Sequence, residues 1–192
     1  MKLFAFSFNT VLATLVIGTI SVAASTAADI QQDAIDACRL ATSLNSELLM
    51  YQKTGKSDTI QDIVQACLNL NSGLKTLTSD AKKLVPQRMS ADDTTGVCGT
   101  LEAYASTFQS IFDLFAALRP TFDEALPRTT VKLISDAVHS LDTDLSRMEA
   151  GLPEHFDGSA FMCFGKFIRT VDPSKWKCDL QYPYDLLDRE AR

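Results

Sequence analysis

Residues 131–152 read VKLISDAVHSLDTDLSRMEAGL. Within them Val131, Ile134, Val138, Leu141, Leu145, Met148 and Leu152 recur at steps of three and four, which keeps them on one stripe of an α-helix. A half-buried strand needs steps of two, and this stretch does not supply them. A helix with one apolar stripe must bury it against partners, so the segment predicts an all-α protein and directs attention to matching stripes elsewhere.

Such stripes recur along the chain. Ala34, Ala37, Ala41, Leu44, Leu48 and Tyr51 form a first run, and Ile60, Val64, Cys67, Leu70, Leu74, Leu77, Ala81 and Leu84 a second. Leu101, Tyr104, Phe108, Ile111, Phe112, Phe115 and Leu118 form a third. A shorter run, Phe156, Ala160, Cys163, Phe164, Phe167, Ile168 and Val171, follows the quoted segment. The predicted fold is an up-and-down bundle of about five amphipathic helices, stapled by disulfides.

Punctuation between the runs sets the boundaries. Asp29 and Asp58 precede their runs as candidate N-caps, and Ser90 with Asp93 resembles a capping box before the third. Gly55 suits the end of the first helix and Pro86 that of the second. Arg119-Pro120 is expected to end the third, Pro127 to sit in the first turn of the fourth, and Gly151-Leu152-Pro153 to end it. Short connections of this kind make sequential helices antiparallel.

The first residues carry a different signal. Lys2, an apolar stretch from Leu3 to Val22 and the small residues Ala23 to Ala28 have the layout of a secretory signal peptide. The expected organisation is a signal peptide over 1–28, a helical bundle over 29–171 and a tail over 172–192 tied back through Cys178. Removal of Lys2 leaves 17 basic residues against 24 acidic ones, a net charge of −7 where the whole chain has −6. That balance argues against nucleic acid and anionic membranes as partners, because both call for clustered Lys and Arg. The charged end, Asp185 to Arg192, is unlike a transmembrane or lipid-anchor tail. The expected location is extracellular or in a cell wall.

Five cysteines, Cys38, Cys67, Cys98, Cys163 and Cys178, follow the signal segment, and an odd number leaves one unpaired within a monomer. Counted from their helix starts, Cys38, Cys98 and Cys163 share one level, whereas Cys67 lies about six residues, or roughly 9 Å, off it. The expected pairs are Cys38 with Cys98 and Cys163 with Cys178. Cys38 with Cys163 is equally reachable, and Cys67 reads as a small buried apolar residue.

Catalytic patterns are missing. His139 and His155 stand without a second His or Cys at ligand spacing, so no metal and no cofactor is expected. Gly158-Ser159 lacks the glycine and the strand of a hydrolase elbow, and no phosphate-cradling glycine loop occurs. The acid pairs Asp92-Asp93, Asp123-Glu124 and Asp142/Asp144 are assigned to helix starts or polar faces. The chain reads as a non-enzyme. It has no Asn-x-Ser/Thr sequon, and its Ser and Thr residues leave O-mannosylation open.

The apolar content is therefore the candidate for function. Its lining set is Leu44, Leu48, Val64, Leu74, Phe108, Phe112, Phe115, Val138, Leu141, Leu145 and Phe167. Both a filled core and a cavity for an acyl chain fit an alanine-rich first helix facing phenylalanine rows on the third and fifth.

Several landmarks carry a family likeness. Tyr51 with Gly55 closes the first helix, a Ser-x-Asp-Asp start spans Ser90 to Asp93, and Leu118-Arg119-Pro120-Thr121-Phe122 precedes a regular helix from Val131 to Pro153. In this order the chain, over about Asp29 to Val171, resembles the fungal hydrophobic surface-binding protein and cell-wall galactomannoprotein family. The resemblance implies an all-helical bundle, secretion to the wall or medium of a fungus, and binding of hydrophobic surfaces or fatty-acid-like lipid in an apolar interior. It also makes association with cell-wall polysaccharide an expectation. Typical members are poorer in cysteine, and many lack a tail like Lys175 to Arg192. An alternative is a secreted helical inhibitor or effector acting on a cell-wall enzyme or host protein. Plant pectin methylesterase and invertase inhibitors are such bundles, but Cys38 and Cys67 do not reproduce the spacing of their N-terminal cysteine hairpin.

Overall fold

Helix α1 spans Ala27–Thr54, α2 Thr59–Lys82, α3 Ala91–Ala125 and α4 Arg128–Gly151. The structure, a computed structural model, describes residues 25–84, 88–151, 167 and 171. Among the described residues the chain is all-α, with four helices and no strand. None of these helices is long and apolar enough to cross a membrane. Ala27 and Ala28, assigned from sequence to the signal segment, form the start of α1. Residues 1–24 of the predicted signal segment, the Cys163–Cys178 pair, His155 and the 172–192 tail lie outside the described residues, as does all of the fifth run except Phe167 and Val171. Both of those are buried, and the Val171 amide donates to the Phe167 carbonyl at 3.0 Å.

The helix ends correct some of the predicted caps. Thr26, not Asp29, is the N-cap of α1: its hydroxyl accepts from the Asp29 amide, and the Asp29 carboxylate accepts from the Thr26 amide at 2.8 Å. That bond, together with the Thr26 hydroxyl, holds the Asp29 carboxyl below its ordinary range. Asp58 occupies the N-cap position of α2 in αR geometry and makes no side-chain capping bond. Ser90 caps α3 as expected, accepting from the Asp93 amide at 3.1 Å. Gly55 closes α1 at φ +60°, a left-handed turn that glycine enters without a Cβ clash, and donates to the Tyr51 carbonyl at 2.8 Å.

Pro120 does not end the third helix. α3 runs through it to Ala125. Proline removes the amide bond to the carbonyl four residues back, but Ala116, Ala117 and Pro120 all face solvent, where water satisfies that carbonyl. On the opposite side Leu118 and Phe122 are buried and hold the last turns against the core. α4 then starts directly after Pro127, whose carbonyl accepts from the Thr130 and Val131 amides.

Cross-helix contacts set the topology. α1 and α2 run antiparallel and approach closely at Gly73, where a Cβ would meet Leu40 Cδ1 at 2.9 Å. α1 and α3 run parallel: Gln31 Nε2 donates to Thr100 Oγ1 at 2.8 Å near their starts, and Tyr51 meets Phe122 near their ends. α2 and α4 are also parallel, joined by Asn71 to Ala137 and further along by Lys75 to Asp144. α3 and α4 barely touch. Among the described residues this is an up-down-up-down arrangement with α1 and α2 as its central pair and few direct contacts between α3 and α4.

The predicted Cys38–Cys98 bridge is absent. Cys38 is a free thiol whose Sγ lies 3.9 Å from the Thr100 carbonyl, while Cys98 is disulfide-bonded to a partner outside the described residues. Because α1 starts at Ala27 and α3 at Ala91, Cys38 stands about one turn further into its helix than Cys98 does, a mismatch of roughly 6 Å.

Candidate apolar binding interior

The predicted lining residues come from all four helices and converge on one cluster. Leu44, Leu48, Leu74, Phe108, Phe112, Phe115, Val138, Leu141, Leu145 and Phe167 are all buried within it. Val64 is half-buried and packs against the cluster from its edge, because Ile63 takes the inward position on that turn of α2. The regular stripe of α4 survives as Ile134, Val138, Leu141, Leu145 and Met148, with Val131 half-buried at the end of the stripe. Packing against α2 therefore uses the period that the sequence displays.

The aromatic side is built where α3 and α4 separate. Phe108 of α3 meets Phe167 edge to face, with ring centroids 5.4 Å apart and planes at 84°. Phe112 and Phe115 continue the buried row along α3. Phe167, from beyond α4, thus supplies apolar surface on the side that α4 leaves open.

Polar groups in this region are few. Burial pushes the Cys38 and Cys67 thiols up to about 12, so both behave as inert apolar side chains near neutral pH. No group of three or more His, Cys, Asp or Glu side chains that could hold a metal ion occurs among the described residues. His139 is exposed. The outward face of α3 carries a shallow, open groove of about 450 Å³ lined by Ser106, Gln109, Ser110, Asp113, Leu114 and Ala117; its openness would leave much of an acyl chain in water.

Two buried polar residues break the apolar pattern between α2 and α4. Asn71 is 3% exposed, its Nδ2 donates to the Ala137 carbonyl at 3.2 Å, and its Oδ1 is buried without a hydrogen-bond partner. Asp144, assigned from sequence to a polar face, is instead 3% exposed and lies 3.4 Å from both Lys75 and Arg147. Their positions carry the only available signal: each follows a buried leucine or precedes one at the border of its stripe, where a partner helix can cover it.

No protein-family model matches the chain, and no curated protein matches it. Among solved structures the chain is similar to the crystal structure of AfMP4p in complex with palmitic acid. The TM-score is 0.66 at 19% identity, over 77% of this chain and 93% of that one. What the two share is the fold. The likeness spans nearly the whole of that chain, so the bundle topology as a unit, and not one helix pair, is common to both.

Proposed function

We propose that this protein is a secreted, non-enzymatic binder of fatty-acid-like lipid, which it takes up in the apolar interior of its helical bundle. The observation that carries the reading is the similarity of the whole bundle to a chain whose crystal structure holds palmitic acid. It is supported by a buried apolar cluster with a phenylalanine row on α3, on the side where α3 and α4 make few direct contacts. The signal-like sequence over 1–28 supports release from the cell, to the medium or a cell wall.

Native mass spectrometry of protein secreted by a eukaryotic host tests this. Co-purified fatty acid, or saturable uptake of a fluorescent acyl probe displaced by palmitic acid, is the expected result. A ligand-free protein that takes up no acyl probe would remove the proposal. Inhibition of a cell-wall enzyme in the absence of lipid would replace it with the inhibitor reading.

A further inference from the structure

Inside the α2–α4 seam Asn71 is an uncharged residue whose hydrogen bonding is half complete. Its amide nitrogen is committed to the Ala137 carbonyl at 3.2 Å, which fixes the orientation of the group. Turning the amide over would set two oxygens face to face. The Oδ1 atom is therefore held pointing away from Ala137, buried, with no donor reaching it from any described residue. Helix amides cannot serve, because the surrounding turns of α2 and α4 spend theirs on their own ladders.

The surroundings define what would satisfy it. Leu70 and Leu74 stand one and three positions from Asn71 on α2, Val138 and Leu141 one and four positions beyond Ala137 on α4, and all four belong to the buried apolar cluster at whose border Asn71 sits. A buried acceptor without a donor is unfavourable, and a ligand that brings an O–H group removes that cost while its chain stays among the leucines. Asp144, buried two turns along α4 from Ala137, adds a second acceptor to the same seam, its carboxylate paired with the exposed Lys75 and Arg147. Neither acceptor oxygen offers an anion a hydrogen bond.

We propose that Asn71 is the polar anchor of the bound lipid, with its Oδ1 accepting a hydrogen bond from a neutral head group, a long-chain alcohol or an un-ionised carboxylic acid. This deepens the lipid-binding proposal and rests on it. Ligands without a donor, such as esters, and ionised carboxylates bind less well because they offer Oδ1 only further acceptors.

The test compares hexadecanol with methyl palmitate, two ligands of similar length that differ in the donor, on the full secreted protein and on Asn71→Leu. The wild-type protein is expected to bind the alcohol about tenfold more tightly than the ester, and Asn71→Leu to bring the two within about twofold. Palmitic acid should also bind more weakly to the wild type as pH rises and the acid ionises. Equal affinities for alcohol and ester in the wild type, or a preference that survives in Asn71→Leu, would overturn the anchor while leaving lipid binding in place. Failure to bind any of these ligands would overturn both. If Asn71→Leu does not fold, the wild-type alcohol-to-ester ratio still decides, and Asn71→Ser, which keeps a smaller polar group, provides the second variant.

Discussion

Tyr51 near the end of α1 and Phe122 near the end of α3 pack with ring centroids 5.1 Å apart and planes tilted by 36°. The contact exists only because α3 continues through Pro120, which carries Phe122 back onto the core side of the bundle. It closes the end of the parallel α1–α3 pair opposite the Gln31–Thr100 hydrogen bond.

Phe122→Ala is therefore expected to cost about 3 to 5 kcal/mol, the range for deleting a buried aromatic, in urea or guanidinium unfolding. Had the helix ended at Pro120, with Phe122 in a loop, the same change would be nearly neutral. A loss below about 1 kcal/mol would contradict the packing described.

Asp33 introduces a pH dependence of definite sign. Its carboxyl is raised from an ordinary 3.8 to about 6, first by burial and then by the facing Asp80 carboxyl on α2, with Asp29 and Asp36 on its own helix adding to it. Asp80 in turn pairs with Lys83. A carboxyl raised in the folded state binds its proton more tightly there than in the unfolded chain, so its contribution is full below about 4 and is lost as pH rises through about 6. Asp33→Asn should unfold at a higher denaturant concentration than wild type above pH 6, with the difference shrinking toward pH 4. A difference that stays constant with pH would refute the assignment.

Alkylation separates the cysteines. Cys38 and Cys67 are free, buried and pushed up to about 12, so neither is expected to react with iodoacetamide at pH 8 while the protein is folded. Both should be labelled after denaturation, without any reductant, and peptide mapping reads this directly. Rapid labelling of either in the native protein would mean that its helix opens far more readily than the packing implies.

Leu141 and Lys132 on α4 test interior against surface. Leu141 is fully buried, whereas Lys132 is exposed and ion-paired to Asp136 at 2.7 Å. Leu141→Ala should cost about 2 to 5 kcal/mol and reduce acyl-probe uptake, while Lys132→Ala should shift stability by less than about 0.5 kcal/mol and leave uptake unchanged. Greater loss of uptake in Lys132→Ala would place the ligand on the surface.

The stripes from Ala34 to Tyr51 and from Ile134 to Met148 were legible because burial on one face demands a period near 3.6, and few other constraints produce that spacing. Gly55 and Ser90 were legible for a similar reason: each answers a local need, a left-handed turn and an unbonded amide, within a few residues of itself. Pro120 misled because its local rule is real but conditional on solvent reaching the freed carbonyl. Asp144 misled because a charged residue at a stripe's border looks solvated until a second helix covers it.

The sequence by itself determined the helical class, the inward face of each helix and most of the boundaries, since these follow from neighbours within four or five positions along the chain. Only the tertiary structure decided which cysteines stay apart, that Phe122 reaches Tyr51, and that Asn71 and Asp144 are buried between α2 and α4. Those outcomes depend on the relative height and rotation of helices distant in sequence. A shift of one turn, roughly 5 Å, leaves every local pattern intact while changing every partner.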